Sequence, residues 1–249
     1  MPLLVYNLKG HSPYFNLAFE EFLFVEKDKS EDEIYLIFYE NNDSVILGKN
    51  LVKSKEVYIH KKLPPVIRRA SGGGSVVHFH GNLNYCLIIN TKVYPEFVSI
   101  SQSYETILKC VARGLSRIKG NFQIKPMGIS DLCIENLQGS KKISGNSQAR
   151  KRNWLLHHGT ILYNAKNIAK ISQFLRHPPK EPEYRNSRPH TEFLVRFLPQ
   201  TKKAFLVNQL IHAFSVHFSS KPQIIKISSE LKKASLQYLN KILKNKFRL

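Results

Sequence analysis

The chain opens on an apolar run, Leu3 to Leu8, that reads as a strand, and then changes period. After Ser12-Pro13, apolar residues recur at Phe15, Leu17, Ala18, Phe19, Phe22 and Leu23. That spacing predicts a helix with one wide buried face, and it sets Glu20 and Glu21 on the other side. A charged loop, Lys27 to Asp32, precedes two β-rich runs, Ile34 to Tyr39 and Ser44 to Leu47. Between them Glu40-Asn41-Asn42-Asp43 predicts a hairpin-like connection. Gly48 ends the second run, Leu51 to Ile59 predicts a short helical turn, and Leu63-Pro64-Pro65 marks a break. Val66-Ile67, Val76-Val77 and Asn82 to Ile89 carry the β signal onward through a central hairpin.

Ser101 to Lys119 predicts a second helix, capped by Ser101 or Ser103, with Ile107, Leu108, Val111, Ala112, Leu115 and Ile118 as its buried stripe. Short strands follow at Ile124 to Met127, Asp131 to Leu137 and Lys142 to Ser144, with Gly139 in the last turn, and a longer one at Trp154 to Tyr163. Asn167 to Leu175 predicts a short helix, His177 to Pro189 a Pro- and Arg-rich loop, and Ala204 to Phe218 and Ser228 to Lys246 helices flanking a short run at Gln223 to Ile227. Regular strand–helix–strand alternation is missing, so the expected class is α+β, a mixed or antiparallel sheet covered by helices. One domain over residues 1–249 is expected, with 204–249 as a small helical extension.

Composition adds little to the fold and more to the setting. Apolar content of 42% is enough for a core. No run of 18 apolar residues predicts a membrane span, and the first residues lack the pattern of a signal peptide. The 3 cysteines, Cys86, Cys110 and Cys133, are scattered, which points to buried thiols in a reducing cytoplasm. The formal charge of +20, from 38 Lys+Arg against 18 Asp+Glu, favours anionic partners: an anionic cofactor, an acidic protein or nucleic acid.

Candidate chemistry is densest from Val66 to Tyr85. Arg68 and Arg69 precede Ser71 and then Gly72, Gly73 and Gly74, between runs that read as strands. Consecutive glycines weaken pairing and let main-chain N–H groups approach an anion or a thin ligand, while arginines supply planar donors for a carboxylate or phosphate. A glycine-rich turn with solvated arginines is the bland alternative. Neither the G-x-x-x-x-G-K-[ST] loop nor a dinucleotide fingerprint is present. A second basic-glycine cluster runs from Gly139 to Gln148. Alternation from Lys142 sets Lys142 and Ser144 on one strand face and Ile143 on the other. Lys142 is then either a surface lysine or a cation directed into a site, and Asp131 either a turn residue or a holder of a metal or ammonium. The histidines His78, His80, His157 and His158 lack the cysteine pairs and converging spacing of a zinc set. Cys133, in a strand among apolar neighbours, reads as a structural thiol.

These residues resemble the biotin/lipoate protein ligase family, lipoate–protein ligase A type. The matching stretches are F-N-L-A-F-E-E at Phe15 to Glu21, S-V-I-L-G at Ser44 to Gly48, R-R-A-S-G-G-G-S-V-V-H at Arg68 to His78, G-N-L-N at Gly81 to Asn84, S-D-L at Ser130 to Leu132, K-I-S-G-N-S-Q at Lys142 to Gln148, and H-H-G-T-I-L at His157 to Leu162. Their order makes them far more specific together than singly. The resemblance implies a catalytic domain related to the class II aminoacyl-tRNA synthetase and biotin protein ligase core. It implies activation of lipoate with ATP and Mg²⁺ to lipoyl-AMP, then transfer to a lysine of a lipoyl carrier domain, of a 2-oxoacid dehydrogenase or the glycine cleavage H protein. Carried over by motif, Lys142 would be catalytic and meet both lipoate and ATP. Arg69, Gly74, Ser75, Val76, Val77 and Asp131 would bind ATP, with Asp131 near Mg²⁺. Leu17, Arg69, Gly72, Gly73, His78, His158, Gly159 and Thr160 would line the lipoate tunnel.

The sequence departs from the family pattern at Ser130, where Asn is usual, at Phe79 and Ser75, where Asp and Ala are usual, and at Leu51, where Gln is common. Glu183 to His190, with Phe193, matches no motif. Larger members of the family carry an accessory domain beyond this length, which here would come from a separate chain or not be needed. The alternatives are an ATP-independent octanoyl or lipoyl transferase with a cysteine nucleophile, and a non-catalytic carrier- or nucleic-acid-binding relative. Nucleic acid is the less expected partner, because Lys142 is retained together with the glycine run.

Overall fold

The computed structural model describes residues 1–27, 29–58, 61–137, 139–177 and 201–246. Its frame is an eight-stranded mixed sheet in the order β11-β1-β2-β6-β10-β9-β8-β7. These strands are β1 (Leu3–Leu8), β2 (Ile34–Tyr39), β6 (Asn82–Asn90), β7 (Gln123–Met127), β8 (Asp131–Asn136), β9 (Gly139–Lys151), β10 (Trp154–Leu162) and β11 (Pro222–Ile225). β1 runs parallel to β2 and β11, and the other pairs are antiparallel. A separate three-stranded sheet holds β3 (Ser44–Leu47) between β4 (Val66–Arg68) and β5 (Val76–His78).

Both faces of the large sheet are covered, which explains why β2 is apolar at every position. Ile34, Leu36 and Phe38 enter one core cluster, and Tyr35, Ile37 and Tyr39 the other. The first face carries α3 (Ile100–Leu115), through Ile107, Leu108, Val111 and Leu115, and α5 (Lys203–His217), through Leu206, Leu210 and Phe214. The second carries α1 (Pro13–Val25), and α6 (Ser229–Lys246) lies over α1, with Tyr238 against Phe22 at 5.9 Å between ring centres. Short helices α2 (Lys53–Glu56) and α4 (Ala169–Phe174) meet near the small sheet, where Val57 bridges Leu175. The described part of that stretch, residues 204–246, thus contributes core residues and an edge strand as well as helices.

Several local expectations change. The runs joined by Glu40–Asp43 are not a hairpin: β2 and β3 belong to different sheets, and so do β5 and β6. The connection is held by Glu40, which accepts from Tyr163 Oη at 2.7 Å, Lys203 Nζ at 2.6 Å and the Gly81 N–H at 2.8 Å. A local turn signal cannot report that the strands on either side of it face different partners. Ser12 caps α1 with Pro13 in the first turn, as the sequence predicts, but α3 is capped by Ser99 rather than Ser101 or Ser103. Glu20 is buried instead of solvated, because α1 is enclosed by the large sheet, the small sheet and α6 and has little outer face left. β9 runs far beyond Lys142–Ser144. Among the described residues no helix is long and apolar enough to cross a membrane. The unassigned Glu183–His190 segment and Phe193 lie outside the described residues.

Candidate functional site

The site is a cavity of about 330 Å³ between the small sheet and the α1 face of the large one. Its floor follows from sheet register. Tyr39, Asn84, Thr160, Gly145 and Asp131 pair in one row across β2, β6, β10, β9 and β8. At one end of that row Lys142 Nζ meets Asp131 Oδ1 at 2.9 Å, with Asp131 buried. A Cβ on Gly145 would stand 3.1 Å from Lys142 Cε and Nζ, so a glycine in the row gives the lysine room to lie over the sheet.

A β-bulge explains why Lys142 faces this way. Leu132 pairs with Ser144 and Cys133 with Lys142, leaving Ile143 unmatched. The extra residue reverses the alternation beyond it. Lys142 therefore shares the cavity face with Asp131, while Ser144 faces the other side, where it meets Asn146. Uniform alternation, as read from the sequence, would have kept Lys142 and Ser144 together.

The glycine run forms the opposite wall, and the arginines before it are its scaffold. Arg69 is buried and donates from Nε to Ser71 Oγ at 2.9 Å, and from Nη2 to the carbonyls of Gly72 at 2.5 Å and Gly74 at 2.9 Å. Burial pushes its pKa down to about 10 against the pull of Glu20. Arg68 donates to the carbonyls of Gly48, Lys49 and Leu51. Both guanidinium groups thus shape main-chain turns, a role that proximity to glycines did not reveal. Gly73 has φ +80°, and a Cβ on Gly48 would stand 2.0 Å from the Gly73 carbonyl oxygen, so both positions need glycine.

At the other end of the row lies a buried polar chain. His158 Nδ1 meets Glu20 Oε1 at 2.7 Å, His158 Nε2 meets Ser71 Oγ at 2.5 Å, and Tyr39 Oη donates to Glu20 Oε2 at 3.1 Å. It ties α1, β10 and the glycine run together. His78 is fully buried, takes a hydrogen bond from Asn41 Nδ2 at 2.9 Å, and is kept neutral, its pKa pushed down to about 3 by burial and by Arg69 and His158. His78, His157 and His158 thus have separate partners, and among the described residues no group of three His, Cys, Asp or Glu side chains converges.

The cavity borders Lys142, Asp131 and Arg69; the glycine-run residues Gly73, Gly74, Ser75, Val76 and Val77; and Leu17, His78, His158, Gly159 and Thr160. Gly72 stands behind the wall, its carbonyl turned to Arg69 and to Ser147 Oγ at 2.8 Å. Sequence reasoning missed Glu56, which accepts from Ser75 Oγ at 2.8 Å, and Tyr39, Asn84, Asn146 and Arg176, which also line the cavity. The apolar part of the lining comes from Leu17, Ile46, Leu162, Ile171 and Leu175. No cysteine borders it, and all three are buried. Asp131 brings a carboxylate to the cavity wall, a hard oxygen donor of the kind that fits Mg²⁺, which commonly takes one or two carboxylates and completes its shell with water and phosphate.

The cavity is thus partly apolar, with the half-buried Lys142 ammonium at one end and the glycine run along one wall. The chain belongs to the lipoyl protein ligase A/B catalytic domain family, whose model matches residues 12–219. It is 30% identical over 184 residues to the lipoate-protein ligase A of Blochmanniella floridana, covering 73% of this chain and 51% of that protein. It is 33% identical over 156 residues to lipoate–protein ligase 1 of Staphylococcus aureus, covering 61% and 44%. The chain spans about half the length of the curated relatives it matches. Its fold is that of solved lipoate ligases. A bi-partite lipoate protein ligase from Thermoplasma acidophilum superposes with a TM-score of 0.78 at 23% identity, over 96% of this chain and 92% of that one. A lipoate-protein ligase A bound with ATP superposes with a TM-score of 0.72 at 22% identity, over 96% and 94%.

Proposed function

We propose that this chain is a lipoate–protein ligase catalytic unit that activates lipoate with ATP and passes the acyl group to a lysine of a lipoyl carrier domain. The observation that carries the reading is the Lys142–Asp131 pair, set over Gly145 at one end of a partly apolar cavity and lined up in one sheet row with Thr160, Asn84 and Tyr39. Lipoate would place its carboxylate at Lys142 and its chain along the row, between Leu17, Ile46 and Leu162. A carboxylate oxygen then attacks the α-phosphorus of ATP and pyrophosphate leaves. Lys142 offsets the repulsion between the two anions as charge develops at phosphorus. Arg69 acts one step back, by holding the carbonyls of Gly72 and Gly74 so that the wall keeps its shape. Asp131 is the residue suited to hold Mg²⁺, which would neutralise phosphate charge when bound. In the second step a carrier lysine amine attacks the acyl carbon and AMP leaves. Holding electrophile and nucleophile in line does most of this work.

Carriers of the 2-oxoacid dehydrogenase or glycine cleavage type would suit the +20 chain if acidic. A separate accessory chain is part of the proposal, supported by the bi-partite organisation of the Thermoplasma relative. A thioester mechanism has no support from the cavity, since no cysteine borders it and burial pushes Cys110 up to about 12. The test combines purified protein, a lipoyl carrier domain, lipoate and MgATP, with and without a candidate accessory chain, read by intact mass. A lipoyl mass gain that requires ATP is the expected result. Equal transfer without ATP from an acylated carrier would overturn the ligase reading.

A further inference from the structure

The mechanism leaves a fully buried histidine, His157, and a buried tyrosine, Tyr85, without a task. We propose that Gln148, His157 and Tyr85, none of which borders the cavity, form a hydrogen-bonded relay that positions Lys142 through Asn146. The inference rests on the reading of Lys142 as the group that meets the acid and the phosphate.

The need for such a device follows from the bulge. Lys142 reaches the cavity only because Ile143 is left unmatched in β9, and slipping back to regular pairing would turn Lys142 to the opposite face of the sheet. A bulge is a local break in the ladder, so something must hold its two ends in register. Asn146 does this. Its Nδ2 donates to the Ser130 carbonyl at 2.8 Å and to Ser144 Oγ at 3.1 Å, and its own N–H donates to the same carbonyl at 2.9 Å. Ser130 immediately precedes Asp131 in sequence, and Ser144 follows Lys142 by two residues. One side chain, which also borders the cavity, therefore clips the strands beside both partners of the ion pair.

Asn146 is in turn held from behind. Tyr85 Oη donates to its Oδ1 at 2.5 Å, His157 Nε2 lies 3.2 Å from Tyr85 Oη, and Gln148 Nε2 donates to His157 Nδ1 at 3.1 Å. The far end is anchored where Arg150 Nη2 meets Gln148 Oε1 at 3.3 Å. Because Gln148 Nε2 can only donate, Nδ1 of His157 accepts and Nε2 carries the proton. Tyr85 then accepts from His157 and donates to Asn146. Every donor thus points from Gln148 toward the Ser130 carbonyl, and the amide of Asn146 has one orientation. Burial, with His158 beside it, keeps His157 neutral, its pKa pushed down to about 3, which preserves this direction. Gly159 belongs to the same device: a Cβ there would stand 1.8 Å from Asn146 Oδ1. Tyr85 and His157 are positioning residues, which act on the site only through Asn146.

The test uses Tyr85→Phe, Asn146→Ala and the double variant, each checked for folding by urea denaturation. Two readouts separate positioning from general support. The first, in the absence of any substrate, is the rate at which an amine-modifying reagent labels Lys142, mapped by mass spectrometry. The second is the split between kcat and KM for the acid. Both single variants should label Lys142 faster than wild type and lower kcat by at least ~10-fold, against the ~10²-fold that a misplacement of about 1 Å can cause, with KM unchanged. The double variant should be no worse than Asn146→Ala, because the two act in series. Wild-type labelling and kcat in folded Tyr85→Phe, or single effects that multiply in the double variant, would overturn the relay. If the wild type fails to activate any acid, the functional reading falls, and labelling alone still decides the relay.

Discussion

Removing the Lys142 ammonium should damage both chemistry and stability, and Asp131 sets the size of the second effect. Asp131 is 4% exposed, and its salt bridge runs to a lysine whose side chain is 24% exposed. Breaking a fully buried pair from one side costs about 3–5 kcal/mol, since the remaining charge is stranded. Here one partner lies on a cavity wall, where solvent screens what is left, so ~1–2 kcal/mol is expected for Lys142→Ala. Asp131→Asn added to Lys142→Ala should restore most of that loss, because it removes the carboxylate charge that the lysine offset. Urea denaturation reads it as a shift in midpoint without a change in slope. Activity behaves differently. A preorganised donor aimed at developing charge is worth ~10²–10³ in rate, and the double variant should recover none of it. Lys142→Arg should recover only part, since a planar fork does not replace a compact ammonium over a glycine. Carrier modification and ATP–pyrophosphate exchange measure the loss. Wild-type activity in Lys142→Ala would refute the assignment, and equal destabilisation in the single and double variants would refute the electrostatic account.

Gly159→Ala should destabilise by ~1–3 kcal/mol through overpacking, because its new Cβ falls 1.8 Å from Asn146 Oδ1; a wild-type denaturation midpoint would contradict this. His78 and His157 both have pKa values lowered to about 3 by burial, so the unfolded chain takes up protons that the folded chain refuses. Stability should hold above pH ~6.5 and fall on acidification from there toward 3, by at most ~2.7 kcal/mol per pH unit for the pair. His78→Gln should halve that slope in denaturation measured at pH 7 and at pH 5. Cys133→Ser should keep carrier modification within a few-fold of wild type in the intact-mass assay, and complete loss in a folded variant would revive the thioester mechanism. Association with an acidic carrier domain should slow as ionic strength rises past 0.1 M, where the Debye length is ~10 Å; a stopped-flow rate indifferent to salt would refute steering.

Most of the elements and the family were legible in the sequence, because both depend on local order. The apolar period of Phe15 to Leu23, the run of Ile34 to Tyr39, and the order of R-R-A-S-G-G-G, K-I-S-G-N-S-Q and H-H-G-T each sit within a few residues of one another. Periodicity reports that a residue will be buried, and motif order reports which chemistry a fold carries. Neither reports what will lie beside it. Only the tertiary structure decided that β2 and β3 join different sheets, since a turn signal is blind to the partners of the strands it links. Only packing on several sides placed Glu20 inside, against His158, where helical period set it outside. The arginines before the glycines turned out to shape the wall because their donors meet carbonyls, a fact of geometry and not of composition. The face of Lys142 shows the division most plainly. The sequence determined that a lysine follows a glycine turn on a strand. The bulge opposite Leu132 and Cys133 decided which way it points, because a single unmatched residue reverses a period of two.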